Sequence, residues 1–259
     1  MKRVLIAGIN GAMGQKAVSL VNHMDGFTVS AGLGLDIKDG QQEQLHVADK
    51  TKLYAQLDDI EDDVADIWVD FTAPQAVYPD VKYALTHGMK PIVGTTGLTD
   101  EQEADLKQLA KDNGLGGLIA PNFGMSAVLL MKFAKEAAAY FPDVEIIEMH
   151  HADKKDAPSG TALSTAKLIA ENRDPHESAP DTLETMKNVR GGDYQGIRIH
   201  SVRLPGYIAH EQVLFGGKGE ALTIRQDSFD RESFMSGVKV ALTKVDQLNE
   251  LVVGLENIL

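Results

Sequence analysis

Lys2-Arg3-Val4-Leu5-Ile6-Ala7 runs straight into Gly8-Ile9-Asn10-Gly11-Ala12-Met13-Gly14, and the reading of this stretch decides the fold. A short apolar run predicts a strand over 3–7. The segment beyond the glycines, with Ala17, Val21 and Met24 at i, i+4 and i+7, predicts a helix over 13–24. A glycine-rich turn between a strand and a helix is where backbone N–H groups and the helix dipole can hold a pyrophosphate. The glycines are spaced G-x-x-G-x-x-G, so Asn10 and Met13 occupy the second and third places of the usual G-x-G-x-x-G fingerprint.

Working outward, the first 124 residues keep this alternation. Strands are expected over 28–35, 65–71, 90–94 and 117–120, with a polar helix over 100–113. Strands alternating with helices predict a parallel, doubly wound, Rossmann-like sheet, which binds ligands at the carboxyl ends of its strands. The pattern then changes to a helix over 126–139, a strand over 144–149, a helix over 161–171 and a polar, Pro-containing stretch over 172–181. Apolar runs at 197–204, 208–215 and 221–225, joined by Pro205-Gly206 and Gly216-Gly217-Lys218-Gly219, predict an antiparallel meander. A last helix over 231–248 places Phe234, Val238, Ala241 and Val245 on one stripe that can return to the first domain. The expected domains are therefore 1–123 with 230–259, and an α+β unit over 124–229 with a mainly antiparallel open sheet. Its exposed edges predict a homo-oligomer, since pairing between subunits removes them.

The chain has 259 residues, 43% of them hydrophobic, enough for a substantial core. It contains no cysteine, which excludes disulfides, thiolate metal sites and cysteine nucleophiles. The apolar run before Gly8 is shorter than the roughly 7–15 residues of a signal-peptide core, so a cytoplasmic protein is expected. A net charge of −13 disfavours nucleic acid as a partner and requires a local basic pocket for any anionic substrate.

Polar and small residues recur at predicted strand ends: Phe71-Thr72, Gly94-Thr95-Thr96-Gly97 and Ala120-Pro121-Asn122-Phe123-Gly124. Glycine lets a flat ring approach the backbone, and Thr hydroxyls and an Asn amide can fix a carboxamide without adding charge. After the second strand, Asp36 is the carboxylate placed to take ribose hydroxyls, while Lys38 could attract a 2′-phosphate. The sharpest signal is Glu148-Met149-His150-His151-Ala152-Asp153-Lys154-Lys155-Asp156-Ala157-Pro158-Ser159-Gly160-Thr161. Ser159 is the expected N-cap of the helix that follows, and two His, two Lys and that helix N-terminus would converge on an anion such as a dicarboxylate. A histidine beside the substrate suits a reduction that needs a proton as well as a hydride. The alternatives for His150-His151 are a metal pair completed by Asp153 or Glu148 and two surface histidines on a loop.

With these residues in view, the chain resembles the 4-hydroxy-tetrahydrodipicolinate reductase family over essentially its full length. The resemblance rests on the 8–14 turn, Asp70-Phe71-Thr72, Gly94-Thr95-Thr96-Gly97, Ala120-Pro121-Asn122-Phe123, the H-H-x-x-K-x-D-A-P-S-G-T run from His150, and His200-Ser201-Val202-Arg203-Leu204-Pro205-Gly206. It implies reduction of a cyclic dicarboxylate with NADH or NADPH in diaminopimelate and lysine biosynthesis, with His150 protonating the ring and Lys154 as a second proton donor. His151, Gly160 and Thr161 would meet the substrate carboxylates. Gly8, Ile9, Asn10, Gly11, Ala12, Met13, Gly94, Thr95, Thr96, Ala120, Pro121, Asn122 and Phe123 would carry the dinucleotide. The resemblance also implies a tetramer built through the second domain's sheet. The chain departs from the family at Gly34, where an acid is expected, so Asp36 is its candidate replacement. The alternatives are another NAD(P)-dependent amino-acid or semialdehyde dehydrogenase and a nicotinamide-sensing protein without turnover.

Overall fold

The apolar run at the N-terminus becomes β1 (Lys2–Ala7), whose last four residues are buried. The computed structural model describes residues 1–38, 40–174 and 183–259, in two units: Met1–Phe123 with Phe234–Leu259, and Gly124–Ser233. After β1 the first unit continues through α1 (Ala12–Asn22), β2 (Phe27–Leu33), β3 (Lys52–Tyr54), β4 (Ile67–Asp70), α2 (Val77–Thr86), β5 (Lys90–Val93), α3 (Asp100–Asp112) and β6 (Gly117–Ile119). The second unit holds α4 (Met125–Ala138), β7 (Asp143–His150), α5 (Gly160–Asn172), β8 (Gly192–Tyr194), β9 (Ile197–Arg203), β10 (Ala209–Gly217) and β11 (Glu220–Ser228). The chain then returns to the first unit as α6 (Met235–Lys244) and β12 (Leu251–Val253).

In the first unit the strands are ordered β12-β6-β5-β4-β1-β2-β3, all parallel. The chain runs from β1 to β2 and β3 on one side, then returns to β4 on the other. The order reverses between β1 and β4, and open α/β sheets bind ligands at the strand ends beside such a reversal. Strands buried on both faces need continuous apolar runs rather than alternation, and Leu5, Ile6, Ile67, Trp68, Ile92 and Leu118 are all 0% exposed. α3 starts where Thr99 and Gln102 form a capping box, with Gln102 N donating to Thr99 Oγ1 at 3.2 Å and Thr99 N to Gln102 Oε1 at 3.0 Å. Its buried face is Leu106 and Ala110.

The second unit corrects the expected meander. Its order is β11-β10-β7-β9-β8, so β7 lies between β9 and β10, parallel to the first and antiparallel to the second. Of the predicted turns, the glycine-rich one at 216–219 makes a hairpin, β10 with β11. Pro205-Gly206 instead belongs to a connection that crosses the end of β7, where Leu204 N donates to His150 O at 3.1 Å. Turn chemistry specifies a local reversal, whereas a neighbour in a sheet is chosen by burial. β7 turns Val144, Ile146 and Glu148 onto the face covered by α4 and α5, and both its edges are paired.

The helix expected over 231–248 is broken into a 3₁₀ turn at Arg231–Phe234, α6, and a 3₁₀ turn at Val245–Gln247. Of the polar 172–181 stretch, residues 175–181 lie outside the described residues. No helix among the described residues is long and apolar enough to cross a membrane.

Candidate active site

In the first unit, Gly8 N and Ile9 N both donate to Leu33 O, at 2.8 and 3.1 Å, which ties the turn after β1 to the end of β2. Gly8 has φ +79°, and a Cβ there would sit 2.2 Å from Phe71 O, so only glycine fits. Gly11 is the N-cap of α1 without a side-chain cap. The first-turn N–H groups of α1, from Ala12 and Met13 onward, are therefore left to an anion. Asn10, Gly11 and Ala12 are exposed at this turn, while Ile9 is buried beneath it.

Gly94, Thr95 and Thr96 follow β5, and Ala120, Pro121, Asn122 and Phe123 follow β6, so both groups stand at carboxyl ends of adjacent parallel strands. Phe71, after β4, packs edge-on against Phe123 with ring centroids 6.0 Å apart. The expected loops thus line up along β1, β4, β5 and β6, beside the reversal. Asn10 fills the space an acid at position 34 would need. A Cβ on Gly34 would lie 2.5 Å from Asn10 Oδ1, and Asn10 Nδ2 donates to Leu35 O at 2.7 Å. Asp36 sits in a left-handed turn (φ +59°) with an exposed side chain.

In the second unit, β7 and β9 bring together residues far apart in sequence. Glu148, with a fully buried side chain, accepts from Arg203 at both oxygens, at 2.7 and 2.8 Å. The same carboxylate bonds His150 Nδ1 at 2.6 Å and accepts from Ser159 N at 3.3 Å. Burial pushes the Glu148 carboxyl up, but bonds from His150, Arg203 and Ser201 outweigh it and hold the group down at about 2. Nδ1 of His150 is thereby committed, and among the described residues Nε2 has no partner. It is the ring nitrogen free to exchange a proton with a ligand.

Ser159 is the N-cap of α5 and accepts from Ala162 N at 3.2 Å. Gly160 is exposed at the start of the helix, followed by the half-buried Thr161. Lys154 does not stand as an isolated cation. Its Nζ bonds Asp156 at 2.7 and 2.9 Å, and the Asp156 carbonyl accepts from Arg203 at 2.7 Å. His151 is half-buried and its carbonyl accepts from Lys154 N at 3.2 Å. The cluster runs Lys154–Asp156–Arg203–Glu148–His150 and ends at a helix N-terminus. It is cationic groups built around one buried carboxylate, suited to orient an imidazole and to receive an anion.

A family model described as dihydrodipicolinate reductase, N-terminus, matches residues 2–123, and one described as dihydrodipicolinate reductase, C-terminus, matches residues 126–259. The chain belongs to the dihydrodipicolinate reductase family. It is 72% identical to the 4-hydroxy-tetrahydrodipicolinate reductase of Lactobacillus helveticus over 258 residues, covering 100% of this chain and 98% of that one. It is 48% identical to the Lactococcus lactis subsp. lactis enzyme of the same name, covering 99% and 97%. Among solved structures, a dipicolinate-bound dihydrodipicolinate reductase from Paenisporosarcina sp. TG-14 matches with a TM-score of 0.91 and 48% identity over 100% of both chains. A probable dehydrogenase from Thermotoga maritima shares the fold at 13% identity, with a TM-score of 0.67 over 99% of this chain and 92% of that one.

For this dihydrodipicolinate reductase family member, sequence reasoning gave Glu148 and Arg203 no role in the His150 cluster. Glu148 was weighed only as a metal ligand, yet its oxygens are taken by Arg203, His150 and Ser159. The available signal was the spacing of Glu148 and His150. Two residues apart on a strand, they share a face.

Proposed function

We propose that this protein reduces (2S,4S)-4-hydroxy-2,3,4,5-tetrahydrodipicolinate to (S)-2,3,4,5-tetrahydrodipicolinate with NADH or NADPH and loss of water, a step of diaminopimelate and lysine biosynthesis. The observation that carries the reading is the His150–Glu148–Arg203 cluster at the N-terminus of α5, in a chain that belongs to this reductase family. Support for a cyclic dicarboxylate as the substrate class comes from the solved relative that holds dipicolinate.

The residues of the first unit fit a dinucleotide: a turn in which a Cβ at Gly8 would collide with Phe71, and a helix N-terminus with no side-chain cap. Gly8, Ile9, Asn10, Gly11, Ala12 and Met13 would hold the pyrophosphate. Gly94, Thr95, Thr96, Ala120, Pro121, Asn122 and Phe123 would line the nicotinamide end, and Asp36 the ribose. When bound, the reduced cofactor supplies a hydride. His150 carries the proton that the ring must gain, on Nε2, with Nδ1 held by Glu148. Lys154, paired with Asp156, receives the carboxylates with His151, Gly160 and Thr161. We assign the protein to the cytoplasm and to a homotetramer. The sheet face opposite α4 and α5, which carries the half-buried Ile147, Val202 and Leu214, supports assembly through the second unit.

The test is oxidation of the reduced nicotinamide, followed by its ultraviolet absorbance, with the cyclic substrate generated in situ and NADH and NADPH supplied in turn. Substrate-dependent oxidation is expected, falling about 10²-fold or more in His150→Ala. Absence of oxidation with either cofactor would refute the function, and unchanged turnover in the variant would remove His150 from it.

A further inference from the structure

Behind the ends of β4 and β5 lies a hydrogen-bond network that reaches Thr95 and whose hub has no part in the reaction described above. Its hub is Asp70, 0% exposed. Oδ2 accepts from Trp68 Nε1 at 3.1 Å, and Oδ1 accepts from Thr95 Oγ1 at 2.6 Å, Thr72 Oγ1 at 2.7 Å and Thr72 N at 3.2 Å. Thr72 N also donates to Thr95 Oγ1 at 2.8 Å. An indole N–H and a peptide N–H can only donate, and a carboxylate only accepts, so the direction of each bond is determined.

The consequence falls on Thr95, half-buried just after β5. A hydroxyl has one hydrogen and two lone pairs. The hydrogen of Thr95 goes to Asp70 and one lone pair takes the Thr72 N–H. One lone pair remains, so toward any ligand Thr95 is an acceptor and not a donor. Nearby on α2, Asp80 is 5% exposed and its Oδ2 has no partner among the described residues. Burial, and then the charge of Asp70, raise the Asp80 carboxyl to about 7. Below that pH it is mostly a neutral acid and adds no second charge beside the hub.

A nicotinamide carboxamide offers an NH₂ donor and a carbonyl acceptor, and anchoring it restrains the rotation of the ring about the glycosidic bond, which selects the face presented for hydride transfer. We propose that Asp70 is a positioning residue for the nicotinamide: by holding the Thr95 hydrogen it leaves Thr95 an obligatory acceptor, which selects the carboxamide NH₂ over its oxygen. This deepens the reading of Gly94–Thr96 as the nicotinamide loop and rests on it.

The test compares reduced NAD with its reduced 3-acetylpyridine analogue, in which a methyl group replaces the carboxamide NH₂, in the full-length protein. An acceptor facing a methyl is left unsatisfied, so the wild type is expected to prefer the natural cofactor by about 10-fold or more in kcat/KM. Asp70→Ala removes both carboxylate oxygens and so frees the Thr95 hydrogen. The preference is then expected to fall to within about threefold, with the KM for the cyclic substrate little changed. Thr95→Val, which removes the acceptor and keeps the shape, is expected to lose the preference in the same way and keeps the test intact if Asp70→Ala does not fold. A merely structural role would lower the melting temperature without moving the ratio. Wild-type discrimination retained in Thr95→Val, or in a folded Asp70→Ala, overturns the inference. A wild type that oxidises neither cofactor refutes the function itself, which is a different outcome.

Discussion

Replacing Glu148 by Gln is the most informative perturbation of the second unit, because the change is isosteric and removes one charge. The Glu148 side chain is 0% exposed and that of Arg203 is 19% exposed, so solvent screens the pair weakly. Its carboxyl is held at about 2 against an ordinary value of 4.5, burial raising it and bonds from His150, Arg203 and Ser201 lowering it further. At about 1.36 kcal/mol per unit, the ionised form contributes on the order of 3 kcal/mol. A carboxyl depressed in the folded state contributes fully above its unfolded value near 4.5, and the contribution is lost as pH falls toward about 2. At neutral pH the variant forfeits all of it. The amide must also turn its NH₂ toward Arg203, the imidazole or Ser159 N, which is consistent with the roughly 3–5 kcal/mol cost of removing one partner of a buried pair. Urea unfolding at neutral pH is the assay, and a loss of about 3 kcal/mol is expected. Repeated near pH 3, the gap between wild type and variant should shrink to about half or less. Turnover should fall at least about 10-fold, since an amide shared among Arg203, Ser159 N and His150 holds Nδ1 less firmly than the carboxylate, while cofactor affinity measured by nicotinamide fluorescence stays within about twofold. A loss below about 1 kcal/mol together with normal turnover would refute the reasoning from buried charge to imidazole placement.

Two further predictions concern Glu211 and Gly8. Glu211, 1% exposed on β10 and in register with Glu148, is pushed up to about 7 by burial, with Thr165 opposing and Glu148 adding to the rise. A carboxyl raised on folding costs stability as pH climbs from its unfolded value near 4.5 to about 7. Wild type should therefore lose on the order of 3 kcal/mol between about pH 4.5 and pH 8 relative to Glu211→Gln, and denaturation midpoints that track each other across that range would contradict it. Gly8→Ala puts a Cβ 2.2 Å from Phe71 O at φ +79°. It is expected to cost about 2 kcal/mol or more and to weaken cofactor binding at least about 10-fold. Unchanged binding in a fluorescence titration would mean that the turn does not hold the dinucleotide.

Much of the first unit is legible along the chain. The 8–14 turn and the strand ends at Gly94 and Ala120 depend on residues within a few positions of one another. The elements missing from the sequence reading are α2 and three short strands. β3, β8 and β12 are three-residue strands, too short to display a period, and they form because a neighbouring edge is available to pair with. The meander failed for a related reason: Pro205-Gly206 reads as a reversal, but nothing local says that β7 occupies the place between β9 and β10.

By itself the sequence determined the alternating strand–helix unit, the glycine turn, the Ser159 cap and the candidate His150 and Lys154, since periodicity, capping and backbone freedom are set by near neighbours. Tertiary structure alone decided that Arg203 and Glu148, 55 residues apart, meet behind His150, and that Asp70 takes the hydrogen of Thr95, 25 residues away. Such bonds exist only once adjacent strands are in register. Their partners are selected by burial and charge in three dimensions, which no spacing along the chain encodes.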